Sequence, residues 1–454
     1  MPRDLRAPGL VAICALVLYL LTMYPDLAGG DSAELTAAIA TGGVIHPPGY
    51  PLYELLGRLF VHFPHGSIAW RVSLLSAVCD ASAAGVLCAA VSRWSSSRAA
   101  GIVAGALLAA APGIWRYALC AEVFALENLC VALLLLLGVL YAEKRDARVL
   151  VAGAFVGGLG LSDHHTIVFT LAPFTAWALW TARSEVLSPK LLGALGLAFA
   201  AGLLPYLYLP IAASRHAPIT WGAADTWQGF WAHVLRREYG TFQLAPTGVA
   251  GPGPTAFETA TAWGKDVLEQ IGIGGAMVAL AGLALGALGS YRAGRLRPGL
   301  VTLGPVLLSV GVMVALGNLP VSDPLHRGIV ARFWQQPTIF LCFWCGLSFA
   351  AVRSYIGERF ELVLAVAISV GIFALRFGAM DASRSTLVRQ YGAEFLRAAP
   401  PGALLVTKGD LITNTMRYLQ LSENMRPDVR VVDQELLGLA WMGPEVARRY
   451  PDVV

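Results

Sequence analysis

Two carboxylates and an imidazole crowd into one short stretch directly after the first hydrophobic segment. The residues are Gly29-Gly30-Asp31-Ser32-Ala33-Glu34, followed by His46-Pro47-Pro48-Gly49-Tyr50-Pro51. Side chains of these types, placed where a chain leaves a bilayer, suit proton transfer on something the membrane delivers. Asp31 and Glu34 share a face if Ser32 to Thr41 is helical. The same spacing also fits a capping box, in which an Asp at a helix start and a Glu three residues on only satisfy the first amides. A helix start needs neither paired glycines nor His46 nor the stiff Pro47 to Pro51 turn. Their company favours a site, with Asp31 and Glu34 as the reactive pair and His46 and Tyr50 as substrate contacts.

Other polar residues stand where apolar ones are expected. Glu122 begins an apolar run and is either an acid close to Asp31 or a charge favoured by a helix N-terminus. His164 and His165, beside Asp163, interrupt an apolar stretch, which is unfavourable in a bilayer unless they line a cavity. Two adjacent imidazoles there suit contact with a phosphate or a metal. Arg332, in Val330-Ala331-Arg332-Phe333-Trp334, either grips a phosphate with two donors or anchors the chain in an aromatic belt at headgroup depth. Arg236 and Arg237, among Trp221, Trp227, Trp231 and Tyr239, are phosphate contacts or one face of an amphipathic surface helix. Asp31, Glu34, His46, Glu122 and the His pair would form a divalent-metal site if they converged, and spacing leaves the metal, the one cofactor in question, open.

Several chemistries lack support. There is no phosphate-loop pattern, nucleophile elbow or zinc-protease helix. Gly153, Gly157 and Gly160 are accounted for by close helix packing. All seven cysteines lie in or beside apolar segments, so no disulfide framework is expected in the external loops, and Cys342 and Cys345 read as a buried inert pair despite their redox-motif spacing. A net charge of +4 at loop ends reports topology, and no nucleic-acid partner is expected.

The elements that must position these residues are membrane helices. The chain is 56% hydrophobic and only 14% charged, and a bilayer core about 30 Å thick takes roughly 20 apolar residues per helix. Such segments fall near residues 8–24, 66–92, 99–117, 122–142, 190–211, 266–290, 299–317, 334–352 and 360–378, with two shorter ones meeting at Asp163 between 149 and 182. The fold class is thus an α-helical polytopic membrane protein of about eleven spans. The first span is read as a retained anchor, not a cleaved signal. Lys and Arg clusters mark the cytoplasmic side: Arg3 with Arg6, Arg93 with Arg98, Lys144-Arg145 with Arg148, Arg183 with Lys190, Arg292 with Arg295 and Arg297, and Arg353 with Arg359. The Asp31 loop, the 212–264 loop, the 318–333 loop and the tail after 378 then share the opposite face. In that tail, Gly402 to Thr407, Leu411 to Leu421 and Val429 to Val432 read as strand, helix and strand, a small unit with parallel strands. Two domains follow: 1–378, transmembrane with external loops 25–65 and 212–264, and 379–454, a small external α/β domain.

Long motifs carry a family resemblance. Asp31 to Leu35, His46 to Leu52, Glu122 to Leu126, Gly160 to Thr166, Trp221 to Trp227, Arg236 to Gly240, and the tail pieces Val406 to Asp410, Arg417 to Gln420 and Arg426 to Val429 resemble the DUF2723 family. That group is similar to the protein O-mannosyltransferases. The resemblance implies a GT-C glycosyltransferase that moves a sugar, mannose favoured, from a polyprenyl-phosphate donor to a hydroxyl of a protein or glycan acceptor. It also implies an inverting attack on the external face, with membrane lipids around the enzyme; composition and the lack of loop cysteines point to a bacterium, in which that is the periplasmic face of the inner membrane. Asp31 stands where that fold keeps its base or acceptor-orienting acid, and a departing lipid phosphate would require cations or donors to face it. The family commonly has Asn where Asp163 stands, and an Asn-Asp-rich turn near Asp410. The competing classes are a transporter or flippase of lipid-linked sugars and a noncatalytic envelope scaffold.

Overall fold

The structure is a computed structural model that describes residues 5–182, 188–241, 243–244, 253–294 and 296–452. Arg3, Arg183 and Arg295 of the expected cytoplasmic clusters lie outside these residues. Each apolar segment read from the sequence is helical, from Arg6–Thr22 at the start to the long run Gln335–Met380. That run holds both the 334–352 and the 360–378 segments and is broken at Gly357, where φ is 76°. Among the described residues, five helices are long and apolar enough to cross a membrane, or seven if two bent pairs each count as one. The expected eleven exceeds this because Arg6–Thr22, Ala147–Asp163 and Val168–Thr181 have only 17, 17 and 14 residues, and because the run to Met380, which holds two expected spans, counts once.

Small side chains let these helices approach closely. Ile68–Ser95 packs on Arg6–Thr22, Arg98–Ala110 and Phe124–Lys144, burying Ala77, Ala81, Ala84 and Cys88 against Val11, Ala15 and Tyr19. Burial of so much apolar surface excludes water, so polar groups inside find partners within the bundle. Tyr19 donates to the Ala109 carbonyl at 2.9 Å and Trp115 Nε1 to Thr22 Oγ1 at 2.9 Å. The seven cysteines are all free thiols, and Cys342 and Cys345 are buried.

Two short helices, Ser32–Thr41 and Pro51–Val61, follow the first span and frame the His46 turn. The turn is stitched to the 212–241 segment by a two-residue bridge between Val44 and Thr220. Gly43 makes that approach possible, because a Cβ there would sit 1.6 Å from the Ile219 carbonyl oxygen. Trp221 N then donates to the Val44 carbonyl at 2.9 Å, which sets Trp221 beside His46.

The tail forms helix Leu387–Ala398, strand β1 (Leu404–Thr407), helix Asp410–Glu423 and strand β2 (Arg430–Asp433). β1 and β2 pair in parallel, Leu404 opposite Arg430, with the helix as crossover. A two-stranded sheet is marginal alone. This one shares a core with the rest of the chain, since Met416, Leu419 and Val431 pack in one cluster with Ala33, Leu35 and Val72. Tyr418 closes the seam, its hydroxyl accepting from Ala69 N at 3.2 Å.

Candidate functional site

Asp31 precedes helix Ser32–Thr41 in the N-cap position, yet its side chain caps nothing. Its carboxylate instead accepts from Arg332 Nη1 at 2.7 Å, and the same nitrogen donates to Glu122 at 3.1 Å. Glu34 does not cap either. It accepts from the His46 backbone N at 2.9 Å and from His46 Nδ1 at 2.8 Å, and His46 Nε2 stands 3.1 Å from the Tyr50 hydroxyl. Both carboxylates are therefore spent on side chains from other loops, which leaves the capping-box reading without its hydrogen bonds.

Each partner is held from a different part of the chain. The Glu122 backbone N donates to the Tyr53 hydroxyl at 3.0 Å and to Ser76 Oγ at 3.2 Å, fixing the turn before helix Phe124–Lys144. Arg332 opens the single turn Arg332–Trp334, between helix Pro324–Ala331 and the run starting at Gln335. Its side chain is 16% exposed, that of Glu122 3% and that of Asp31 26%.

Charge separates the acids. Burial works to raise the Asp31 pKa, but the positive charges of Arg332 and His46 outweigh it and hold the carboxyl below its ordinary value. Burial pushes Glu122 up to about 7, with the Asp31 charge adding to the rise and Arg332 opposing it. Burial alone would lower His46, yet the Glu34 carboxylate, followed by Asp31 and Asp410, lifts it to about 9. His46 is thus an imidazolium at neutral pH, with both ring nitrogens donating.

These groups line a cavity of about 590 Å³ that is also lined by the apolar side chains of Val168, Phe169, Val312, Met313, Leu316 and Leu319. Tyr50, His164, His165 and Arg236 also line it. His164 stacks on Tyr50 with ring centroids 5.6 Å apart, and its Nδ1 lies 2.5 Å from Thr166 Oγ1. His165 Nε2 donates to the Tyr206 hydroxyl, 2.8 Å away, whose own proton goes to the Leu161 carbonyl. The Arg236 guanidinium lies 5.2 Å from the Tyr239 ring centre.

Not every expected residue arrives. Arg237 is exposed and outside the cavity lining, which Arg236 joins; Arg236 adopts φ 53°. Asp163 is buried behind the cavity with neither carboxylate oxygen hydrogen-bonded. Among the described residues no three His, Cys, Asp or Glu side chains are arranged to hold a metal ion. The acids are engaged by Arg332 and His46 instead, so a metal does not fit this donor set and no step below passes through one. Sequence reasoning missed Asp410, which reaches the cavity from the tail. It also missed Glu238, which accepts from Trp221 Nε1 at 2.7 Å and from Trp441 Nε1 at 2.8 Å. A lone Asp after a Gly and a Glu in a loop carry no spacing signal.

Comparison with known proteins gives this geometry a lineage. The family model for the protein O-mannosyl-transferase TMEM260 N-terminal domain matches residues 31–188, starting at Asp31, and TMEM260-associated domain 2 matches residues 388–451. The chain is 36% identical to protein O-mannosyl-transferase TMEM260 of Mus musculus over 465 residues, covering 98% of this chain and 65% of that protein. It is 29% identical to protein O-mannosyl-transferase tmem260 of Dictyostelium discoideum, covering 95% of this chain and 57% of that one. The chain therefore spans less than two thirds of these curated relatives. ArnT from Cupriavidus metallidurans, solved bound to undecaprenyl phosphate, superposes with a TM-score of 0.62 at 15% identity, covering 98% of this chain and 88% of that one. The archaeal oligosaccharyltransferase AglB from Archaeoglobus fulgidus, solved with an inhibitory peptide and a dolichol-phosphate, gives 0.52 at 13% identity, covering 95% and 65%. At such identities the likeness speaks to the fold alone, which is that of the GT-C enzymes. With two TMEM260 domain models matched in order and similarity running along nearly all of its length, the chain is similar to the TMEM260 protein O-mannosyl-transferases and has a GT-C-like fold.

Proposed function

We propose that this protein is a GT-C glycosyltransferase that moves a sugar, mannose by family, from a polyprenyl phosphate to an acceptor hydroxyl, such as a Ser or Thr of a protein. One observation carries the reading: Asp31 and Arg332 meet in a cavity lined by charged groups and by apolar side chains alike. A lipid-linked sugar joins both characters, an apolar chain with an anionic phosphate and a polyol. The mouse and Dictyostelium relatives are named protein O-mannosyl-transferases, and the ArnT and AglB structures hold polyprenyl-type phosphates.

In the proposed reaction the acceptor oxygen attacks the anomeric carbon while the bond from that carbon to the lipid phosphate oxygen breaks. The acceptor proton passes to Asp31, the electron pair of the broken bond leaves on the phosphate, and the sugar carbon inverts. Arg332 plays two parts. In the resting site it neutralises Asp31 and Glu122, and with donor bound its remaining guanidinium donors face the leaving phosphate. Because Asp31 stays ionised, it is ready to accept a proton at neutral pH. His46, fixed by Glu34, adds positive charge close to the reacting centre. The loops carrying the site would face the periplasm of a bacterial inner membrane.

Purified protein incubated with polyprenyl phosphate mannose and a Ser/Thr peptide tests this. Sugar appearing on the peptide supports the transferase. Donor movement between liposome leaflets without any transfer supports the transporter reading instead.

A further inference from the structure

Asp410 is the one residue of the tail among the described residues that line the cavity. It opens helix Asp410–Glu423 after Gly409, whose φ of 100° is a conformation glycine favours, as the chain leaves β1. Its carboxylate makes no hydrogen bond or ion pair with any described residue. Burial, with the Glu34 and Asp31 charges, raises its pKa to about 6 against the pull of His46. At neutral pH it is therefore an acceptor-only group. Behind it lies a smaller void of about 20 Å³, room for about one water. The two cavities share Glu34, Trp221 and Asp410.

Asp410 shares both cavities with Glu34, and the charges acting on it are, in order, Glu34, Asp31, His46 and Asp433, while Arg332 donates to Asp31 and Glu122. Beside it stands Trp221, whose ring lies 6.2 Å from that of His46 and whose Nε1 is held by Glu238. An indole next to an unpartnered carboxylate suits a polyol. The aromatic face covers C–H groups, and the carboxylate oxygens accept from adjacent hydroxyls.

We propose that Asp410 is a specificity residue that hydrogen-bonds hydroxyls of the donor's sugar while Trp221 lies against its ring, so that the C-terminal unit reads which sugar the cavity accepts. This rests on the glycosyl-transfer reading above. Asp410→Asn removes no hydrogen bond or ion pair between described residues.

The test uses full-length protein in lipid nanodiscs and a panel of polyprenyl phosphates, bare or bearing mannose, glucose or a pentose. Wild type binds one glycosylated lipid more tightly than the bare one. Asp410→Asn reduces that sugar-dependent gain by about tenfold to hundredfold, the range for a hydrogen bond to a charged group, while affinity for bare polyprenyl phosphate is unchanged. An unaltered sugar preference in Asp410→Asn overturns the proposal and leaves the transferase reading standing. Wild type that binds none of the lipids overturns the transferase reading, and the role of Asp410 falls with it.

Discussion

The Arg332 guanidinium donates to the Asp31 carboxylate at 2.7 Å, joining residues 301 positions apart. The contact ties the loop after the first span to the loop before the run at Gln335, and in the proposed reaction it supplies the cation that faces the lipid phosphate. It also keeps Asp31 ionised. In the proposed reaction, donor binding and proton acceptance would be linked through this one side chain.

Replacing Arg332 separates those roles. Arg332→Gln is expected to weaken binding of bare polyprenyl phosphate about tenfold or more, since a charge-assisted bond to phosphate is lost. Arg332→Lys recovers only part, because a point charge cannot reach two carboxylates and a phosphate as a planar fork does. Equilibrium binding of a fluorescent polyprenyl phosphate measures both, and wild-type affinity in Arg332→Gln would remove the arginine from the phosphate site.

His46 makes stability depend on pH. Its folded pKa of about 9 lies above the ordinary 6.5, so the folded state holds its proton more tightly than the unfolded chain does. The stabilisation is fully present below about pH 6.5 and is lost as pH rises through about 9. In melting curves from pH 6 to 10, the gap in Tm between wild type and His46→Gln should be widest at the acid end and narrow towards the alkaline end. A gap that does not change with pH would show that the Glu34 pair contributes nothing through charge.

Tyr53 and Ser76 hold Glu122 redundantly, both accepting from its amide. Tyr53→Phe and Ser76→Ala should each be mild, because one acceptor remains. Together they orphan a buried N–H at a cost of about 1–3 kcal/mol. A double-mutant cycle on unfolding should therefore be more than additive, and simple additivity would mean the amide finds another partner.

Glu238 clasps the tail to the membrane part through Trp221 and Trp441. Glu238→Ala should loosen the 441–452 segment, read as faster amide exchange there with core helices unchanged. Transfer should fall as well, since Trp221 loses its anchor. Unchanged exchange would show that the shared core around Met416 and Leu419 holds the tail unaided.

Much of this site was legible in the sequence because polar residues in apolar surroundings must line something. Asp31, Glu34, His46, Tyr50, Glu122, both histidines, Arg236 and Arg332 converge on one cavity for that reason. The strand-helix-strand of the tail was equally visible, since short apolar runs and an amphipathic helix have distinct periods. Arg237 was read as the equal of Arg236 because sequence cannot show a left-handed turn at a non-glycine residue. The metal was left open because the ion pairs of Arg332 and His46 join parts of the chain that spacing cannot relate. Asp410 stayed hidden for the same reason, as its proximity to Glu34 comes only from packing of the tail on helix Ser32–Thr41.

The central claim, that the Asp31 carboxylate takes the acceptor's proton, is tested by single-turnover transfer with Asp31→Asn, measured beside polyprenyl phosphate binding by the same protein. The amide keeps the shape and can still accept from Arg332, so binding should hold while the transfer rate drops about 100-fold to 10,000-fold, the worth of a general base. Transfer by Asp31→Asn at close to the wild-type rate would contradict the claim and shift the search for the base to Glu34.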